Sequence, residues 1–423
     1  MPPTAQSRAR TGADASRLPS LTGMRIIAAV MVFAFHANYQ FPFTDKHAAS
    51  TFNRIFALGG STGVGFFFIL SGFVLTWSAR STDTTVRFWR RRVVKIFPNH
   101  LITFLAAALI FINAGTALGG WKAVPSFFLL QAWFPQPDIA SAMNPVAWSL
   151  SAELLFYLSF PFLVRAVNRV KPQHLWLWAA GVVGVIFTIP LIASTFPDGA
   201  HVVWGPVTKW QGWLVYMSPP VRMLEFIFGI FLARIVQTGR WIKLPLLPAA
   251  VIAVATYYFA WNASWMYNHV AVMVIPLGLL IAAGAQADID GTFSPLRNRP
   301  MVWLGNVSFA FYLWHALVLT ELSRHTHDLT TRHGIGGGLA YLGIGFAITL
   351  VLSGAMYTFV EEPAMRRWSR PKSARTAAAP SRIVARSVPA EAEAAADASA
   401  ESEPVAGLVA AEPGPEQDVR TRP

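Results

Sequence analysis

Apolar stretches of close to 20 residues, each bounded by charges, Pro or Gly, return along most of this 423-residue chain. A helix needs about 20 such residues to cross the hydrocarbon of a bilayer, and no single soluble core could absorb so many. Stretches near 24–40, 62–79, 98–114, 146–164, 175–194, 222–236, 245–261, 268–286, 301–320 and 336–360 mark ten candidate helices. Charge agrees with this reading: 13% of residues are charged and 54% hydrophobic, whereas a soluble domain carries about a quarter charged residues. The expected fold class is all-α and integral to the membrane, with about ten transmembrane helices, multi-pass in a cell membrane. One further apolar segment, Val124 to Phe134, is too short to cross and is expected to be re-entrant or interfacial.

The net charge of +13 would suggest nucleic acid in a soluble protein, but the basic residues sit between apolar spans. No nucleic-acid motif accompanies them, so the expected partner is the lipid bilayer. With the N-terminus inside, the inner segments carry 22 Lys and Arg against 6 on the outer ones. The positive-inside rule then places both termini in the cytoplasm. The first apolar run starts near Leu21 after Arg8, Arg10 and Arg17 and outlasts a signal peptide, so it reads as a retained span. The sequence thus divides into a basic tail over 1–20, a membrane domain over 21–368 and an Ala/Glu/Pro-rich tail over 369–423 expected to be disordered. There are no cysteines, which excludes thiolate metal sites and Cys nucleophiles.

Ionisable residues inside spans are costly and are functional candidates by default. Arg25 and His36 lie eleven positions apart on one face of the first span, about 16 Å in depth. A snorkelling Arg with a His bonded to a neighbouring helix explains them as well as a general base does. In the second span, Ser71 and Gly72 either let helices approach closely or leave room for a substrate chain. The basic run Arg87 to Pro98, with Arg90, Arg91, Arg92 and Lys95, is either a topology anchor or a phosphate-recognition cluster. Trp148 and Ser149 open a fourth span in which Ser149, Glu153 and Tyr157 share a face; a carboxylate between two hydroxyls is hard to explain as packing. Arg222 lies one turn before Glu225 and reads as a self-contained ion pair. Ser308, Tyr312 and His315 line one face of the ninth span, as a polar seam or a substrate wall. Glu361-Glu362-Pro363 reads as a helix end.

Taken in order, Leu21-Thr-Gly-Met-Arg25 through His36, Phe67-Phe68-Ile-Leu-Ser71-Gly72, the run ending Ile96-Phe-Pro98, Trp148-Ser149-Leu-Ser-Ala-Glu153 and Ser308-Phe-Ala-Phe-Tyr312-Leu-Trp-His315 resemble the acyltransferase-3 family. Its members are membrane O-acyltransferases of bacterial sugars, lipids and secondary metabolites. The resemblance covers roughly residues 18–365. It implies O-acylation or O-acetylation of a hydroxylated sugar, a glycan or a glycosylated metabolite such as a macrolide, with acyl-CoA as donor and no bound cofactor or metal. It gives His36 the role of general base, with Arg25 stabilising donor or oxyanion charge and Glu153 orienting the imidazole. Phosphates of the donor would lie near Arg91, Arg92 and Lys95, and its chain beside Ser71 and Gly72. Trp148, Ser149, Tyr157, Ser308, Tyr312 and His315 complete the expected substrate contacts. Lys95 stands where the family usually has Arg, keeping the charge but losing the planar fork. A transporter using His36 and Glu153 as a proton relay, or a catalytically idle sensor, uses the same residues.

Overall fold

The computed structural model describes residues 18–79, 83–116, 119–203, 205–326 and 334–368. Of the tails read from sequence, residues 1–17 of the first and the whole of the second, from 369 onward, lie outside the described residues, while Pro19 and Ser20 belong to the first helix. The principal helices are α1 (Pro19–Asn38), α2 (Lys46–Phe56), α3 (Gly59–Trp77), α4 (Thr85–Asn113), α5 (Trp148–Asn168) and α6 (Leu175–Ser194). They continue with α7 (Pro219–Gln237), α8 (Leu246–Phe259), α9 (Val274–Asp290), α10 (Arg299–His325), α11 (Gly334–Met356) and α12 (Glu362–Trp368). There is no strand among the described residues.

Among the described residues eight helical stretches are long and apolar enough to cross a membrane, so the chain is a multi-pass membrane protein. The other two expected spans are helical but differ in kind. α7 carries Arg222, Glu225 and Arg234 within its 19 residues, and α8 has only 14. The Val124–Phe134 segment forms a five-residue helix, Ala123–Phe127, and a 3-10 turn, Gln131–Trp133. The expected end at Glu361 is not an end: a π-helical turn, Tyr357–Glu361, leads directly into α12, where Pro363 sits in the first turn and needs no intrahelical donor.

α1 sits centrally, against α3 on one side and α10 on the other. Its N-terminus is fastened by Asp288 of α9, whose carboxylate accepts from the Ser20 amide at 2.8 Å and the Ser20 hydroxyl at 2.7 Å. That places an anion on the orphan amides of a helix start. α7 packs on α3, then α5 and α6 on α7, while α11 packs on α10.

The α3–α7 contact corrects one expectation. A Cβ on Gly72 would lie 2.0 Å from the Phe226 carbonyl oxygen, and one on Gly229 would lie 2.0 Å from that of Ile69. The two glycines therefore form a backbone-to-backbone crossing of the small-residue kind, and Gly72 leaves no room for a substrate chain. Gly72→Ala should destabilise the protein by about 1–3 kcal/mol or more, the range for overpacking, since a carbonyl cannot move aside like a side chain. Thermal unfolding in detergent checks this: a lower midpoint is expected, and an unchanged midpoint would show that the crossing can relax.

Candidate active site

The sequence places polar residues on the inward faces of α1, α5 and α10, and packing brings those faces, with an apolar face of α3, round a narrow cavity of about 390 Å³. Arg25, Ser149, Glu153, Ser308 and Tyr312 supply its polar wall, and Val64, Phe67, Phe68, Leu150 and Phe309 the apolar remainder. The start of α5 is set by Asn144. Its side-chain oxygen accepts from the Val146 amide at 3.4 Å, and its Nδ2 donates to the Leu313 carbonyl at 2.9 Å. This fastens the 3-10 turn Pro145–Ala147, and hence Trp148 and Ser149, onto α10. Trp148 itself is buried between the rings of Phe68 and Tyr216.

The hydroxyls are mostly satisfied. Ser149 Oγ lies 2.8 Å from the Tyr312 hydroxyl, which donates to the Val146 carbonyl at 3.1 Å. Ser308 donates back to Gly305 at 2.8 Å. Tyr157 donates to Glu153 Oε2 at 3.0 Å, with the Ser71 hydroxyl beside it. Arg25 is different. Among the described residues it forms no ion pair and no hydrogen bond, although it lines the same cavity as Glu153.

Beyond Tyr312, at the other end of the polar seam, the two histidines meet. His315 Nε2 is 3.1 Å from His36 Nδ1, and that Nδ1 is also 2.9 Å from the Val32 carbonyl oxygen. Where His315 Nε2 carries a proton, Nδ1 of His36 accepts it; in the other tautomer Nδ1 carries the proton and donates to the Val32 carbonyl, which can only accept. The lone pair of His36 is then on Nε2. His315 is fully buried, its ring parallel to that of Phe311 and near Tyr312. Glu153 does not orient His36, as the family resemblance led us to expect: its hydrogen bond runs to Tyr157, and the imidazole is held by Val32 and His315.

The basic cluster occupies the first turns of α4, which runs unbroken through Pro98. Two of its expected ligand contacts are already matched within the chain. Asp83 grips Arg91 through both guanidinium nitrogens, and Lys95 Nζ is 2.9 Å from Glu361 Oε1. Glu361 is buried, and its second oxygen accepts from Asn99 at 3.1 Å. Arg92 lies over the rings of Phe88 and Tyr157 at 5.6 and 5.8 Å, with no carboxylate partner among the described residues and no hydrogen bond at Nε. Asn99, Glu361, Asp83 and Asn144 were not predicted from sequence as part of this region. Asn99 and Asn144 carry no charge to betray them, and Glu361 becomes interior only through the π-helical turn. No group of His, Asp and Glu among the described residues could hold a metal.

A family described as acyltransferase domain matches residues 18–358. The chain is 39% identical over 381 residues to Acyltransferase MdmB of Streptomyces mycarofaciens, covering 86% of this chain and 96% of that protein. It is 23% identical to Peptidoglycan O-acetyltransferase OatA of Listeria monocytogenes, over 82% of this chain and 55% of that one. It is 22% identical to O-acetyltransferase OatA of Staphylococcus aureus strain NCTC 8325, over 83% and 57%. The chain thus spans little more than half the length of these two O-acetyltransferases. No solved structure matches it.

Removing one partner of a buried ion pair strands the other. Glu361→Gln should therefore lower stability by about 3 kcal/mol, the lower end for a broken buried pair, because Lys95 keeps 28% exposure. Adding Lys95→Met to Glu361→Gln should recover part of the loss. Denaturant unfolding of the single and double variants measures the coupling, and additive losses would refute it.

Proposed function

Because the chain belongs to this family of acyltransferases, we propose that it moves an acyl group from acyl-CoA to a hydroxyl of a sugar-containing acceptor, in a cell membrane. The observation that carries the reading is Arg25. An interior guanidinium without an internal partner, facing a cavity, is set to meet charge or dipole on a ligand. The peptidoglycan O-acetyltransferase among the relatives supports a hydroxyl acceptor of glycan type.

In this mechanism the acceptor O–H lies against Nε2 of His36, and its oxygen attacks the thioester carbonyl as Nε2 takes the proton. The C–S bond then breaks, and the proton passes from Nε2 to the departing thiolate, so free CoA and an ester result. His315 and the Val32 carbonyl hold the ring so that the basic nitrogen faces the acceptor. Arg25 lies about 16 Å from His36 along the helix axis, too far for an oxyanion formed beside Nε2. We therefore assign Arg25 to the donor, whose extended pantetheine arm can span that depth, and Arg92 to its phosphates. Arg91 and Lys95 keep their internal partners, and Glu153, bonded to Tyr157, shapes the same channel.

The two roles predict different kinetics. In reconstituted protein supplied with acetyl-CoA and methyl glycosides, His36→Ala should lower kcat on the order of 10²–10⁴-fold, the usual worth of a positioned base. Arg25→Ala should instead raise the donor KM by about tenfold or more, consistent with losing a charged contact. If His36→Ala transferred acyl groups as fast as the parent, the assignment of the base would be wrong.

A further inference from the structure

A second polar cavity also borders α3 and shares no lining residue with the Arg25 cavity. It occupies about 210 Å³ and is bounded by Ser61, Thr62, Glu225, Asn268 and His269, with Leu277 at its rim. The Arg222–Glu225 ion pair that the sequence suggests is formed, with both side chains buried, but it does not use all of the carboxylate. Arg222 is fully matched: it donates to Glu225 Oε1 at 2.9 Å and to the carbonyls of Tyr216, Val215 and His269. Glu225 has an oxygen left over. Oε2 is buried with no hydrogen-bond partner among the described residues, and so is the hydroxyl of Thr62. Both residues are more than nine-tenths buried, Glu225 at 2% exposure and Thr62 at 5%. The fit is tight, since a Cβ on Gly65, one turn along α3 from Thr62, would lie 3.2 Å from Glu225 Oε1.

The two unmatched groups differ in what they require. Glu225 Oε2 can only accept, whereas the Thr62 hydroxyl has a proton free to donate. An ammonium only donates, a carboxylate only accepts, and the Arg222–Glu225 pair has already balanced its own charge. The complement is one neutral group that does both, a hydroxyl. Thr62, Met273 and Leu277 also line a second, much larger space of about 1440 Å³, an apolar groove between α1, α3, α8 and α9. Its mouth is made of exposed hydrocarbon, with Ile27, Leu247 and Val254 46%, 75% and 70% exposed, so it opens where lipid chains would be. From these shared walls we infer that the chain binds an uncharged lipid alcohol here, its hydrocarbon chain in the groove and its hydroxyl between Thr62 and Glu225. This site is independent of the acyl-transfer reading.

The test uses full-length protein in lipid nanodiscs and a photoactivatable long-chain alcohol, 1-hexadecanol bearing a diazirine. Labelling should saturate and fall on α1 or α8. Unlabelled hexadecanol should compete about tenfold better than 1-methoxyhexadecane, which keeps the chain but cannot donate to Glu225. Thr62→Val should narrow that preference, while Ala250→Phe, which narrows the groove without touching the polar pair, should reduce labelling with the unfolding midpoint unchanged. Equal competition by alcohol and ether would overturn the proposal, showing that the polar cavity does not recognise the hydroxyl. Labelling that does not saturate would overturn it as well.

Discussion

A polar group inside a helical bundle in hydrocarbon finds its partner within the protein or meets a ligand, because bulk water is absent and an unmatched group costs kilocalories. Most of this chain's interior charges obey the first alternative. Asp83 holds Arg91, Glu361 holds Lys95 with help from Asn99, and Glu225 holds Arg222, which also takes three backbone carbonyls. These pairs allow α4, α7 and the π-helical turn before α12 to lie in the bundle at all. Their completeness gives the exceptions meaning. Arg25 has no such partner among the described residues, Arg92 has only aromatic faces, and one oxygen of Glu225 is unmatched.

The histidine contact adds direction to this pattern. His36 would be an ordinary half-buried imidazole were its Nδ1 not placed between the Val32 carbonyl and His315. In the tautomer with the proton on Nδ1, donating to Val32, the other nitrogen is left basic. Family membership then turns the geometry into chemistry. In the proposed mechanism His36 is the base toward the hydroxyl and Arg25 the cation toward the donor, two roles at separate depths of α1.

Much of this was legible in the sequence. All ten apolar stretches form helices, because the 20-residue period of the bilayer is written directly in composition. Ser149, Glu153 and Tyr157 share a face as their spacing requires, and Glu153 and Tyr157 are joined. What sequence could not supply was pairing between distant segments. Lys95 and Glu361 are 266 positions apart, and His36 and His315 are 279 apart; nothing local reveals either. Gly72 was ambiguous because the same missing Cβ serves a ligand or a backbone crossing, and only the proximity of Phe226 decides. Arg91 and Lys95 looked alike as phosphate contacts for the same reason: charge is visible in sequence, but prior engagement is not.

The most direct test of the central claim follows the thioester bond. The chain has no cysteine, so any thiol that appears when purified protein meets acetyl-CoA and a hydroxyl acceptor belongs to CoA. The account predicts that thiol release depends on the acceptor and matches, mole for mole, the alkali-labile ester formed on it. An intact thioester, with acceptor accumulating inside sealed vesicles instead, would contradict it.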